Sequence, residues 1–223
     1  MIGNFILRIS YVKGQRLSFL SHLETVHAIE RIIRRAKLPF VLTEGFNPHM
    51  KISFGSALPV GAGSECEYVD VRLKEYIKPH CALEMLKNSS TANLFPINCE
   101  YVSSKEASAS ANFPVSVWEA YILGASAKEL KESIDNVIKR GFIEIKRKNK
   151  KPKNVELKDK LIVNPSFKDE QGKVLMQFVT CAQQSGSLRP DHFILAGLES
   201  LPNASLLRLT RTKQYSKKDY LDL

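Results

Sequence analysis

Cysteine and tryptophan are scarce, with four Cys and one Trp in 223 residues. Cys66, Cys81, Cys99 and Cys181 lie far apart and show no CxxC spacing. That spacing argues against a zinc knuckle and against a disulfide framework. No apolar run approaches the roughly 20 residues of a membrane-spanning helix. The opening MIGNFILRIS has neither the basic start nor the small-residue cleavage site of a secretory signal, so it reads as a first strand and the protein is expected in the cytoplasm. No HExxH and no paired carboxylates point to a metal, and no GxxxxGK[ST] or GxGxxG loop points to a bound nucleotide. No metal and no cofactor are expected.

What the chain has is basic charge and a real core. It carries 33 Lys+Arg against 23 Asp+Glu, a net charge of +10, with 43% hydrophobic residues. The excess is uneven: 13 against 10 in residues 1–111, and 20 against 13 in 112–223. A balance of this kind suits a polyanionic partner, most simply RNA, although charge alone says nothing of the fold.

The hydrophobic periods give an order of elements. Phe5, Leu7, Ile9 and Tyr11 alternate with Ile6, Arg8 and Ser10, as in a strand. A turn at Val12 to Arg16 precedes a helix marked by Ser21 and Glu24, the spacing of a capping box. Leu38-Pro39 closes it. A short strand at Phe40 to Leu42, a strand around Cys66 to Leu73, a helix over Pro79 to Asn88 and an extended stretch from Ile97 to Val102 follow. This β-α-β-β-α-β order is that of a ferredoxin-like unit, with one sheet face on two helices and the other free. The polar segment KEASASANF, 105–113, reads as a linker. Beyond it come strands at Val115 to Leu123, Phe142 to Lys146, Leu161 to Val163, Val174 to Cys181 and Leu206 to Thr210. Helices are expected over Ala127 to Arg140 and from Pro190 to Leu198. The expectation is an α+β chain of two tandem ferredoxin-like halves with antiparallel sheets, 1–104 and 114–223, the second with an expanded basic β-hairpin.

Four groups of residues could carry function. TEGFNPHMKISFGSALPVG, within the expected loop 43–63, is long for a hairpin connection, and such connections are usually functional or mobile. Its glycines permit positive φ and close backbone approach, and Asn47, His49 and Lys51 would project near exposed amides suited to phosphate or carboxylate. A β-hairpin arm whose glycines serve its own bends is the alternative. Arg31, Arg34 and Arg35 share one helix face, where they either meet phosphates or form a solvated face with Glu30 paired to Arg34. KRKNKKPKNVELKDK, Lys146 to Lys160, reads as an exposed hairpin tip whose Lys146, Arg147, Lys148, Lys150 and Lys151 contact phosphates without reading sequence. It could equally be a solubilising tip. His22 and His49 could act as acid and base in metal-independent RNA cleavage, or simply cap and pack. Tyr68 and Tyr11 fall on neighbouring strands, yet Tyr11 shares the buried phase, which argues against base stacking.

The strings YVKGQRLSFLSHLETVHAIERIIRRAKLPF and EGFNPHMKISFGSALPVGAGSECEYVDV resemble the bacterial radical-SAM-linked proteins that carry domain of unknown function 2344. The resemblance is dense over 8–73 and continues through SGSLRPD and RLTRTKQY. Lys13, Gly14, Arg16, Ser21, His22, Arg34, Arg35, Gly45, Phe46, Asn47, Pro48, His49 and Lys51 match its pattern. Glu24 stands where Asp is usual, and Met50 where Pro is usual. The resemblance implies a radical SAM protein as partner. This chain lacks the CxxxCxxC cluster motif, so it would be the accessory half, presenting an RNA or ribosomal substrate. Three functions follow as expectations: an RNA-binding accessory protein using Lys13, Arg16 and the groups above, a metal-independent endoribonuclease, and a protein adaptor for the radical SAM enzyme.

Overall fold

The computed structural model describes residues 5–147 and 150–222. The chain is a mixed α+β protein that divides into two compact units, Met1–Phe113 and Pro114–Leu223. No helix among the described residues is long and apolar enough to cross a membrane.

Unit 1 runs β1 (Phe5–Lys13), a 3-10 turn (Gln15–Leu17), α1 (His22–Arg35), β2 (Ile52–Phe54), β3 (Ala62–Leu73), α2 (Pro79–Asn88), β4 (Leu94–Val102) and α3 (Ala109–Asn112). β1 lies between β3 and β4, β2 adds to the far side of β3, and all three pairings are antiparallel. Both halves of the expected capping box form at the start of α1: Ser21 accepts from the Glu24 amide, and Glu24 accepts from the Ser21 amide. Leu7, Ile9 and Tyr11 of β1 and Val69, Val71 and Leu73 of β3 pack with Ile29, Ile32 and Ile33 of α1 and Ala82 and Leu86 of α2. Tyr11 is therefore core, as its phase requires.

Two expectations for this unit change. The connection 43–63 is not one loop, because β2 divides it. Thr43 and His49 close the first part, the Thr43 amide donating to the His49 carbonyl at 2.7 Å and the His49 amide to Thr43 Oγ1 at 2.9 Å. A three-residue strand set among glycines and a proline has too short a period to stand out. Residues 105–113, read as a linker, belong to unit 1, where α3 packs on β2 and β3.

Unit 2 runs β5 (Val115–Leu123), α4 (Ala127–Arg140), β6 (Phe142–Arg147), β7 (Lys150–Glu156), β8 (Leu161–Glu170), β9 (Lys173–Cys181), α5 (Pro190–Leu198), β10 (Ser205–Tyr215) and α6 (Lys217–Leu221). Its strands pair in the order β10-β5-β9-β8, again antiparallel, while β6 and β7 form a separate hairpin. Trp118, Ile122, Met176 and Phe178 are buried on the sheet, and Leu130, Ile134, Phe193 and Ile194 on the helices. The Phe178 and Phe193 rings meet edge to face at 5.4 Å. The basic stretch 146–160 is not merely a tip. Most of it is β7 and its exit, where Leu157 and Lys160 are buried.

Gly124 and Gly141 both hold positive φ, at 77° and 80°. A Cβ on Gly124 would lie 1.9 Å from the Asn203 carbonyl oxygen, whereas one on Gly141 would meet nothing within 4 Å. Gly141→Ala should therefore cost only the left-handed conformation, about 1 kcal/mol. Gly124→Ala adds a backbone clash and should cost well over about 2 kcal/mol. Urea unfolding of the two variants checks the order, and equal costs would contradict the close approach at Gly124.

Candidate functional site

Strand alternation decides what the second face of the unit 1 sheet presents. With Leu7, Val69 and Val71 turned to the helices, Ile6 and Arg8 of β1 and Tyr68, Asp70 and Arg72 of β3 face the other way. Ser53 of β2 joins them, opposite Asp70 in register, while Ile52 and Phe54 pack on the core side. Arg8 is likewise directly opposite Asp70, and Ile6 opposite Arg72. This face was expected to be free. Residues 103–113 cross it instead.

The reason is Arg8, whose surface is only 2% exposed. Its Nε and Nη2 donate to the two Asp70 oxygens at 2.8 and 2.9 Å, a fork on fork. Nη1 donates to Glu106 Oε1 at 2.7 Å, and Nη2 reaches the Ala107 carbonyl at 3.3 Å. The guanidinium also lies 5.4 Å from the Phe113 ring centre, and Phe113 stacks on Tyr68 at 4.1 Å with 12° between the planes. These partners hold the Arg8 charge, the hydrogen bonds it donates to Asp70 foremost, and raise its pKa above the ordinary arginine value. A strap read from composition as a linker is thus bound to the sheet by charge and aromatic stacking.

Strap and sheet together enclose a cleft of about 570 Å³. Lys51, Arg72, Thr43, Ser53, Ser103, Ser104 and Ser108 supply its polar wall beside Arg8, Asp70 and Glu106, with Ile6, Met50, Ile52 and Val102 as the apolar part. Lys51 is the sequence candidate that reaches the cleft. Its partner Arg72 was missed, as were Arg8, Asp70 and Glu106. The available signal was a pair of opposite charges, Arg8 and Asp70, in the non-core phase of two strands expected to be neighbours.

The remaining candidates scatter. Lys13 is a correction: it is 2% exposed, and its ammonium donates to the Ser18 and Leu20 carbonyls at 3.3 and 2.9 Å. Burial pushes its pKa down, partly opposed by Glu67. It braces the turn ahead of α1 and cannot meet a ligand. Arg16, Arg31, Arg34, Arg35, Asn47 and His49 are exposed. Arg34 lies over the Phe40 ring at 5.0 Å, and among the described residues it forms no ion pair with Glu30. The helix arginines look outward from α1, on the opposite side of the sheet from Lys51. His22 meets the Phe54 ring edge to face at 5.6 Å on the helix side, while His49 sits beside Thr43 at the cleft rim. The two histidines required by the nuclease expectation share no contact among the described residues. Lys151 is exposed on β7. Lys146, Arg147 and Lys150 lie in the β6–β7 hairpin, their side chains outside the described residues, as is the whole of Lys148.

Met50 occupies the family pattern's proline position and is buried in the core, bridged to Leu42. Packing fixes the loop base there, where a proline would fix φ. Cys99 and Cys181 are buried thiols, Cys99 pushed up to about 12 by burial. They are poor nucleophiles.

A family model described as an uncharacterized protein conserved in bacteria, DUF2344, matches residues 7–190. The chain belongs to this family. No curated protein matches it. Among solved structures, the chain is similar to part of a Cbf5-Nop10-Gar1 complex at 14% identity and a TM-score of 0.47, over 98% of this chain and 51% of that one. It therefore spans about half the length of that neighbour. It is also similar to an unknown protein from Galdieria sulphuraria, at 10% identity and a TM-score of 0.28, over 92% and 98% of the two chains. Neither likeness is close enough to bear on function.

The buried pair yields a sharp expectation. Arg8→Ala or Asp70→Ala leaves an unmatched buried charge and should cost about 3–5 kcal/mol, while the double replacement Arg8→Met with Asp70→Leu should stay far closer to the parent. Urea unfolding of the three variants checks this, and additive losses in the double variant would contradict it.

Proposed function

We propose that this chain is a non-catalytic RNA-binding accessory protein built from two ferredoxin-like units. The β4-β1-β3-β2 and β10-β5-β9-β8 strand orders support that build. One observation carries the binding reading. Arg31, Arg34 and Arg35 are exposed together on α1 without a carboxylate partner among the described residues. The alternative of a neutralised, solvated face depended on a Glu30–Arg34 pair, and Arg34 rests on Phe40 instead. Arg16 adds a fourth exposed guanidinium nearby in the chain, and the β6–β7 hairpin adds lysines in unit 2. Such charges grip phosphates without reading bases, because each released counterion favours binding whatever the sequence.

The reading extends to a radical SAM enzyme as catalytic partner. Its support is the resemblance over 8–73, together with exposed apolar Phe19, Leu23 and Val60 near the Ser18–Gly61 hydrogen bond. A radical SAM protein that still co-purifies with this chain after ribonuclease treatment would place this contact in protein. Loss of the partner on that treatment would place it in RNA.

Filter binding to a structured RNA between about 50 and 300 mM salt tests the main reading. Affinity should fall steeply with salt. Arg31→Gln, Arg34→Gln and Arg35→Gln together should flatten the log–log slope by about 2, and by the same amount on unrelated sequences. Replacing Lys146, Arg147, Lys148, Lys150 and Lys151 by Gln should likewise weaken binding across sequences. Affinities and slopes unchanged in both variants would defeat the proposal.

A further inference from the structure

The unit 1 cleft contains an arrangement that RNA gripping by exposed arginines does not use. Lys51 and Arg72 stand directly across from each other where β2 begins, the Arg72 amide donating to the Lys51 carbonyl at 3.0 Å. Both side chains line the same cleft. Like charges placed opposite one another on paired strands repel, and such a pair normally finds a carboxylate. Here neither side chain has a hydrogen bond or ion pair among the described residues. Both carboxylates in the cleft meet Arg8 instead, which donates to both Asp70 oxygens and to Glu106 Oε1. The Asn112 side-chain amide donates to Glu106 Oε1 as well.

The hydroxyls around this pair are set to donate. Thr43 Oγ1 accepts the His49 amide, and Ser103 Oγ accepts the Lys105 amide. With their oxygens accepting backbone protons, their own protons are left for another acceptor. Ser53 and Ser104 add two more hydroxyls. Two cations without a side-chain partner, lining one cleft with several hydroxyls, suit an anion of charge near two with several terminal oxygens. A volume of about 570 Å³ exceeds what the anion alone needs, and Ile6, Ile52 and Val102 offer an apolar wall to an organic body. We propose that this cleft binds a phosphomonoester, with Lys51 and Arg72 as its two charged anchors. A small phosphorylated metabolite and the 5′-phosphate end of an RNA present the same chemistry.

Calorimetric titration of the full chain tests this with inorganic phosphate, AMP, adenosine, and a short RNA carrying either a 5′-phosphate or a 5′-hydroxyl. AMP should bind and adenosine should not, with inorganic phosphate competing. Lys51→Gln and Arg72→Gln should each weaken AMP by about tenfold or more, the loss of one charge-assisted contact. Ser53→Asp, which adds a carboxylate to the cleft two residues from Lys51 at an exposed position, should abolish binding and gives a second variant should either Gln variant misfold. A preference for the 5′-phosphorylated RNA that disappears in Ser53→Asp identifies an RNA end as the source. AMP binding with no end preference identifies a free metabolite. The proposal is overturned if neither phosphate, AMP nor the 5′-phosphate distinguishes the parent from Ser53→Asp. The AMP arm contains no RNA, so its outcome is separate from that of the salt-dependence measurement.

Discussion

A guanidinium placed within a sheet must be matched on every side, and Arg8 imposes that requirement on unit 1. Asp70, its cross-strand neighbour, can take only two of its donors. The remaining donors need acceptors from outside the sheet, and residues 106–107 supply them. Removing such charges from water costs several kcal/mol per ion, so the triad adds little to net stability; what it does is tie one strap to one place. Phe113 on Tyr68 completes the attachment with apolar area. Everything distinctive about this face follows from that closure. The strap turns an open sheet into a walled cleft and brings Ser103, Ser104 and Ser108 over β1 to β3.

The same closure separates two kinds of positive charge. On α1 the arginines are exposed, so their pull on a polyanion is long-ranged, unspecific and screened by salt. In the cleft, Lys51 and Arg72 are half-buried, where screening is weaker and geometry matters more. The sheet of unit 1 lies between these sets. The α1 arginines and Lys51 therefore form no continuous basic surface within this unit.

Local signals were readable in the residues, and pairings were not. Ser21 with Glu24, Ser126 with Glu129 and Gly141 after Arg140 mark helix ends through contacts within a few residues, and α1 and α4 begin and end accordingly. The strand Val115–Leu123 is equally plain from its period. β2 was hidden, because three residues give no period and its pairing with β3 is a long-range fact. The strap was misread for a related reason. KEASASANF is polar and small, and what holds it, Arg8, lies 98 residues away from Glu106 in the chain. The cleft depends on both, so its composition could be suspected only at Lys51.

Lys13 shows how a motif that looks functional divides once it is folded. Its ammonium is spent on the Ser18 and Leu20 carbonyls, which fixes the turn leading into α1. At Gly14 beside it, a Cβ would fall 2.7 Å from Asn93 Oδ1 and 3.2 Å from the Asn93 Cα, so another stretch of backbone comes close. At Gly63 it would meet the Gln15 side-chain oxygen at 2.8 Å and the Lys13 carbonyl oxygen at 3.3 Å. Lys13, Gly14, Ser21 and Gly63 thus make the scaffold around the start of α1. Arg16, Arg34, Arg35 and His49 need no such packing, because they project into solvent, and Lys51 lines the cleft. Folding does not require these side chains, so their charge is left to solvent or to a partner.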